Sequence, residues 1–423
     1  MLDVMQLIEK ETDRQRRGLE LIPSENYVSR DVLTAIGSIF TNKYAEGYPG
    51  KRYYGGQEYT DRLELLAIER AKKLFKADHA NVQPHSGASA NNALYAAWLE
   101  PGDTVLAMDL SHGGHLTHGA PVTLSATLYN FIRYKIKDIS TGEIDYEELR
   151  QLALKHRPKI IMAGFSSYPR QLDYAKFAAI GNEVGALLVA DMSHIAGLIV
   201  GGVAENPFDY GFHVITTTTH KTLRGPRSGM ILSKGKVSSP LHAVEKTIEN
   251  IPTLIDRAVF PGTQGGPHMH IIAAKAVCFR EALQPEFKEY AKQIMKNASR
   301  LADELQKRGF KLVTGGTSNH MMLINIYESF GIDGHVAETA FDAIGLTMNK
   351  NVIPSDPLPA FRPSGLRLGT PAVTTKGLKE NDMENIAAWM RQAVDHRDDE
   401  AKLDEIRKEV EAFSLQFPLP SDM

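Results

Sequence analysis

Lys221 sits where a strand runs into a turn. Val214 to Thr218 is β-branched throughout and predicts a buried strand. Lys221 follows it, and the chain then breaks into Arg224-Gly225-Pro226-Arg227. A strand that delivers one amine into a Gly/Pro turn holds it at the carboxyl edge of a sheet, where open α/β sheets take ligands. A surface lysine after a strand is the ordinary alternative. Here His220, Arg224 and Arg227 crowd the amine in sequence, and neighbouring cations lower a lysine's pKa and free it to attack an aldehyde. The chemistry this spacing predicts is a Schiff base on Lys221.

Three other groups carry matching chemistry. In Ser86-Gly87-Ala88-Ser89 small residues open a predicted helix, leaving backbone N–H groups free to meet an anion. Many helices begin this way for capping alone. The stretch lacks the lysine of a P-loop and the spacing of a dinucleotide fingerprint. Gln264-Gly265-Gly266 could supply further N–H groups or be a plain Gly-rich turn. Asp191 ends the apolar run Val189-Ala190, where a carboxylate is costly unless paired. It fits a helix cap, a metal ligand or the partner of a protonated ring nitrogen, and no second carboxylate lies near in sequence to favour metal. Arg367, bracketed by Gly365 and Gly369, suits two-pronged capture of a carboxylate; an interdomain salt bridge is the competing use. Lysine, aspartate and a phosphate cradle on a parallel sheet are together the parts of a pyridoxal 5′-phosphate (PLP) site.

The elements that must position these residues are legible in outline. Strand-like runs at Thr104–Met108, Lys159–Ala163, Ala186–Ala190 and Val214–Thr218 alternate with helical segments such as Tyr146–Lys155 and Tyr174–Val184. The pattern predicts an α/β fold, a mostly parallel sheet sandwiched by helices. Residues 1–35 are expected to form an N-terminal arm, 36–280 a large PLP-binding domain and 281–423 a smaller C-terminal α+β domain, with one long helical stretch from Met269 to Arg308 and a short strand at Leu312. Between Ile22 and Tyr59 the chain is loop-rich and dense in tyrosine (Tyr44, Tyr48, Tyr53, Tyr54, Tyr59), which predicts a functional loop rather than disorder.

Bulk properties narrow the classes. The 423 residues carry 48 Lys plus Arg against 51 Asp plus Glu, a formal charge of -3, with no block of like charge to suggest a nucleic-acid or membrane partner. Cys278 is the only cysteine, so no intrachain disulfide is possible and a reducing compartment fits. The N-terminal segment has charges at Arg14, Arg16 and Arg17 and no apolar signal core. The longest apolar run, Ile195–Ala204, is too short to span a bilayer. These features predict a cytoplasmic protein.

Read as a set, seven stretches closely resemble the serine hydroxymethyltransferases, PLP enzymes of fold-type I. They are L-I-P-S-E-N from Leu21, T-N-K-Y-A-E-G-Y-P-G-K-R-Y-Y-G-G from Thr41, N-V-Q-P-H-S-G from Asn81, S-H-G-G-H-L-T-H-G from Ser111, T-T-T-T-H-K-T-L from Thr216, V-F-P-G-x-Q-G-G-P from Val259 and S-G-L-R-L-G-T-P-A from Ser364. The resemblance covers nearly the whole chain. It implies PLP held covalently by Lys221, Asp191 at the ring nitrogen, His115 stacked on the ring and His194 near its phenolic oxygen. Ser86, Gly87 and Ala88 would bind phosphate, with Gly265 and Gly266 arriving from a neighbouring subunit, and Ser166, Thr218 and His220 would complete the cofactor's surroundings. Arg367 and Ser24 would hold the substrate carboxylate, Glu46 would act as acid/base, and Tyr44 and Tyr54 would reach across a dimer interface. Leu110, Gly114, Leu116 and Asn349 would meet the pterin. The implied reaction interconverts serine and glycine, passing a one-carbon unit to tetrahydrofolate, in a homodimer or dimer of dimers with shared active sites.

The chain also departs from that pattern. Ala88 and Ser89 stand where the family usually has a hydroxyl residue and glutamine, Ser228 replaces a usual glycine, and Leu241–Asp256 is longer than in many bacterial members. Methanopterin-type carriers and α-methylserine stay open as substrates. A threonine-type PLP aldolase is the competing enzyme, and a PLP carrier or RNA-binding regulator the non-enzymatic alternative.

Overall fold

A computed structural model describes residues 3–236 and 245–422. Seven strands form the central sheet: β1 (His79–Asn81), β2 (Thr104–Met108), β3 (Asn130–Tyr134), β4 (Ile160–Gly164), β5 (Leu187–Asp191), β6 (Val214–Thr218) and β7 (Gly229–Ser233). Their spatial order is β1-β7-β6-β5-β4-β2-β3. From β6 to β3 every pairing is parallel, while β7 runs antiparallel to both β6 and β1. All five residues of β4, β5, β6 and β7 are buried, which is why these strands read as continuous apolar or β-branched runs.

Alternation sorts their side chains onto two faces. Leu106, Ile161, Leu188 and Ile215 enter one core; Val105, Ile160, Leu187 and Val214 enter the other. Helices cover both faces. They start and stop on ordinary signals: Asp173 Oδ1 accepts from the N–H of Lys176 to open Tyr174–Val184, and Gly185 ends it in the left-handed region.

The long helical stretch expected from Met269 to Arg308 is two helices, α1 (Met269–Ala282) and α2 (Pro285–Lys307). Pro285, tolerated only in a first turn, restarts the helix. Along α2 the packing changes hands: Phe287, Ala291 and Ile294 join the core of the large sheet, whereas Ala298, Leu301 and Leu305 join a second core. That second core covers β8 (Met321–Asn325), β9 (Asn349–Asn351) and β10 (Gly365–Gly369), an antiparallel sheet in the order β8-β10-β9. Leu312, expected as a strand, makes a single antiparallel bridge to Ile324.

The N-terminal segment belongs to the same second core. Leu19 and Leu21 are buried there, and Leu19–Glu20 pairs in parallel with Leu346–Thr347. The helix before it, Val4–Arg17, buries none of its residues. Lys376 ties down its far end by donating to the carbonyls of Arg16 and Gly18. Among the described residues no helix is long and apolar enough to cross a membrane. Of the segment Leu241–Asp256, residues 241–244 lie outside those described.

One glycine limits how the sheet holds Asp191. Gly164 sits opposite it in register, and a Cβ there would stand 2.6 Å from the Asp191 carbonyl oxygen and 2.8 Å from its Cβ. Gly164→Ala is therefore expected to cost ~1–3 kcal/mol of stability, read as a lowered denaturant midpoint with the slope unchanged. An unshifted midpoint would show that this edge yields.

Candidate active site

The carboxyl ends of β4, β5 and β6 open into a cavity of about 450 Å³. Its wall includes Ser24, Ser86, Gly87, Ala88, His115, Ser166, Asp191, His194, Thr218, His220, Lys221 and Arg367. Twelve residues expected at the site from scattered stretches therefore meet in one place.

Asp191 is the most heavily bonded of them. Its Oδ1 accepts from Ser193 Oγ (2.6 Å) and from Ser193 N–H (3.1 Å); its Oδ2 accepts from Asn91 Nδ2 and His118 Nε2, both at 3.0 Å. Burial alone would push this carboxyl up, yet the His118 hydrogen bond leads the opposing effects that hold it far below the usual carboxylate range. His118 Nδ1 accepts from His115 N–H (3.1 Å), so the proton on its other nitrogen is committed to Asp191.

Lys221 is buried, and its pKa falls to about 7. Burial is the first cause; Asp191 opposes it, and Arg367 and Arg227 add to it. The expectation that sequence neighbours crowd the amine is corrected in part. Arg224 turns away and lies over the Tyr290 ring at 4.7 Å. Burial and Arg227 bring the His220 imidazole down to about 3, so near neutral pH it carries no charge. The low pKa is a property of the enclosed site.

Arg367 projects from β10 toward β4. Its Nη1 donates to the Ser166 carbonyl (2.8 Å) and Oγ (3.3 Å), its Nε to Asn349 Oδ1 (3.1 Å) and its Nη2 to Ser24 Oγ (3.4 Å). Among the described residues no carboxylate pairs with it, which sets aside the interdomain salt bridge. Burial pulls its pKa down to about 10.

At the other end of the cavity Ser86 caps the helix Gly87–Trp98, its Oγ accepting from Ser89 N–H (3.1 Å). The remaining first-turn N–H groups have no partner within the helix and form an anion cradle. Gly87 is required by space, since a Cβ would come 2.7 Å from Thr218 Cγ2. His115 is a neutral ring, lowered to about 4 chiefly by burial. His194 bonds through Nδ1 to His320 Nε2 (3.3 Å). Among the described residues, two buried ring nitrogens on this wall, His194 Nε2 and His220 Nδ1, have no hydrogen-bond partner.

The donor set fits PLP. There is an amine of low pKa for the aldehyde, a firmly ionised carboxylate for the ring nitrogen, a neutral imidazole for its face, N–H groups for the phosphate and unpaired nitrogens for the remaining polar atoms.

A second group of expected residues lies apart from this cavity. Tyr44 and Tyr54 meet edge to face with centroids 5.0 Å apart, and both are exposed. Tyr44 and Glu46 border Gly266 and Gly265: a Cβ on Gly266 would lie 3.2 Å from Tyr44 Cε1, and one on Gly265 3.3 Å from Glu46 Oε1. None of these five lines the Lys221 cavity. Leu110 and Leu116 are exposed on the turns that flank Gly113 and Gly114.

Sequence reasoning missed Asn91, His118, Ser193 and His320. His118 stood three residues after His115 in a stretch already singled out, and Ser193 two after Asp191; their roles needed the fold to bring the strands together. With this geometry in view, a family model described as serine hydroxymethyltransferase matches residues 2–390.

The Lys221 amine yields a direct test. Reductive trapping of an aldehyde at Lys221 in the cofactor-free chain is expected to rise with pH through about 7 and then level, as the amine loses its proton. Labelling that climbs only near the ordinary lysine range of about 10 would contradict the enclosed site.

Proposed function

The chain belongs to the serine hydroxymethyltransferase family, and from that premise we propose that it interconverts serine and glycine by passing a one-carbon unit to and from tetrahydrofolate. The observation that carries the reading is Arg367: a half-buried guanidinium that no carboxylate among the described residues pairs with, lining the same cavity as Lys221 and Asp191. A small amino acid supplies the carboxylate that Arg367 lacks.

When bound, PLP supplies the electron sink for charge developing at the substrate's α-carbon. Lys221 Nζ would hold it, and at a pKa of about 7 the amine is available as a nucleophile without strong base. Asp191, kept ionised by its four donors, would hold a proton on the ring nitrogen. His115 would cover the ring and exclude water. Arg367 and Ser24 grip the substrate carboxylate and so orient the bond to be broken.

A proton must also move at the hydroxymethyl oxygen. Glu46 is the carboxyl group proposed for it, and this kind of help is worth ~10²–10⁴-fold in rate. Because Glu46, Tyr44 and Tyr54 stand outside their own chain's cavity, they serve that of a second copy, alongside Gly265 and Gly266. The enzyme is then a homodimer, or a dimer of dimers, with shared sites. Leu110, Gly114, Leu116 and Asn349 form the pterin edge. Near-neutral charge and a lone buried cysteine support a cytoplasmic setting without nucleic-acid partners.

Two mutant tests follow from this arrangement. Arg367→Lys keeps the charge but loses the fork, and a KM for serine raised at least ~10-fold with an unchanged cofactor spectrum is expected. An unaltered KM would move the carboxylate clamp elsewhere. Tyr54→Ala and Lys221→Ala, each nearly inactive alone, are expected to recover tetrahydrofolate-dependent serine cleavage when co-expressed, because each mixed dimer regains one intact site. Mixed dimers verified by mass that stay inactive would refute the shared site, and activity indifferent to tetrahydrofolate would favour the aldolase.

A further inference from the structure

Behind the phosphate end of the cavity lies a charge that the proposed reaction leaves unused. Lys275, on α1, is 1% exposed. Its Nζ donates to the carbonyls of Val82 (2.6 Å) and Gly229 (2.6 Å) and reaches that of Pro84 at 3.4 Å. Among the described residues no carboxylate forms an ion pair with it. Burying an ammonium this way is costly, and an aliphatic side chain would fill the same space without that cost. Burial brings its pKa down to about 7, with Glu64 pulling the other way.

The three carbonyls belong to the two segments that meet beneath the anion cradle. Val82 and Pro84 lead into Ser86-Gly87, and Gly229 opens β7. The contact is tight: a Cβ on Gly229 would stand 2.2 Å from the Ser86 carbonyl oxygen and 2.9 Å from Gly87 N. The Pro84 carbonyl also accepts from Gly229 N–H (3.2 Å) and from Ser228 Oγ (3.0 Å). Ser228, which departs from the family's usual glycine, thus adds a bond to the same clamp.

We propose that Lys275 is a positioning residue for the phosphate cradle: its ammonium draws the Val82, Pro84 and Gly229 carbonyls together, and an anion seated in front in turn stabilises the buried charge. The inference rests on the proposed reading that this cradle takes the cofactor's phosphate. Coupling of this kind is reciprocal. A bound anion raises the lysine's pKa, so affinity is greatest with Lys275 protonated and falls as pH rises past about 7. The other ionisable groups around it are Glu64, paired with Arg52, and His85, stacked on His268 at 4.2 Å. His85 is lowered from the usual imidazole value by burial. Lys221 titrates in the same range and is removed in one arm of the test.

Cofactor release from the full-length holoenzyme is followed by absorbance after dilution. Lys275→Met, which keeps length and loses charge, is expected to release PLP at least ~10-fold faster than the parent, while its KM for serine at saturating cofactor stays within about twofold, as a role confined to the cradle requires. Equal release from a folded Lys275→Met chain overturns the inference and leaves the proposed function standing. A parent chain that holds no PLP overturns both. Should Lys275→Met fail to fold, a full-length Lys221→Ala chain decides. Sulfate, a dianion that does not titrate here, is expected to raise its melting temperature more at about pH 6.5 than at about pH 8.5, and an equal rise at both overturns the inference.

Discussion

A carboxylate at the end of a fully buried strand is the constraint around which the site is arranged. Asp191 cannot be left ionised in that position without donors, and four are supplied by three residues. Each comes from a different element: Asn91 from the helix behind the anion cradle, His118 from the turn that also carries His115, Ser193 from the chain beyond β5. One negative charge therefore ties the start of the helix at Gly87, the turn that carries His115 and the strand edge into a single arrangement. The same charge sits near the Lys221 amine and opposes the lowering of its pKa by burial. Without it, the amine would be still less able to hold a proton.

Cations complete the balance. Lys221, Arg227 and Arg367 border a cavity to which Asp191 contributes a satisfied carboxylate. Arg367 spends its donors on Ser166, Ser24 and Asn349, which bridges the two cores by neutral groups only. The junction is held without consuming positive charge, which leaves the guanidinium's charge unneutralised among the described residues. Along α2 one helix face is shared between the two cores, so the small sheet that presents Arg367 is carried on the same rigid rod as the wall of the large one.

The residues outside the cavity are as informative as those within it. Tyr44 and Tyr54 are large, exposed and packed edge to face, while the hairpin between them, in which Gly47–Tyr48 pairs with Lys51–Arg52, is anchored firmly. Arg52 is buried against Asp61 and Glu64, at 2.9 and 2.5 Å, and donates to the carbonyls of Ala45 and Gly47. A loop held from inside by a buried ion cluster, yet presenting aromatic rings outward, is built to offer them to another surface. That is the physical basis for assigning these residues to a second copy of the chain.

Much of this was readable from residue order. Continuous β-branched and apolar runs marked the buried strands, because a strand covered on both faces has no polar side to show. The run of four threonines before His220-Lys221, Asp191 at a strand end and the small residues after Ser86 stood out by type and local spacing, and the fold gathers them at one cavity. Other features depend on distances between segments far apart in sequence, and only the tertiary structure decided them. The low pKa of Lys221 comes first from enclosure, not from Arg224 beside it in the chain. His118 and Asn91 became partners of Asp191 because folding brings a turn and a helix from distant parts of the chain to the end of its strand. Nothing in its sequence neighbourhood sets Lys275 apart from other helical lysines, and only folding places three carbonyls around it. Local residue types determine which chemistry is possible, whereas burial and long-range contact determine which charges are present to perform it.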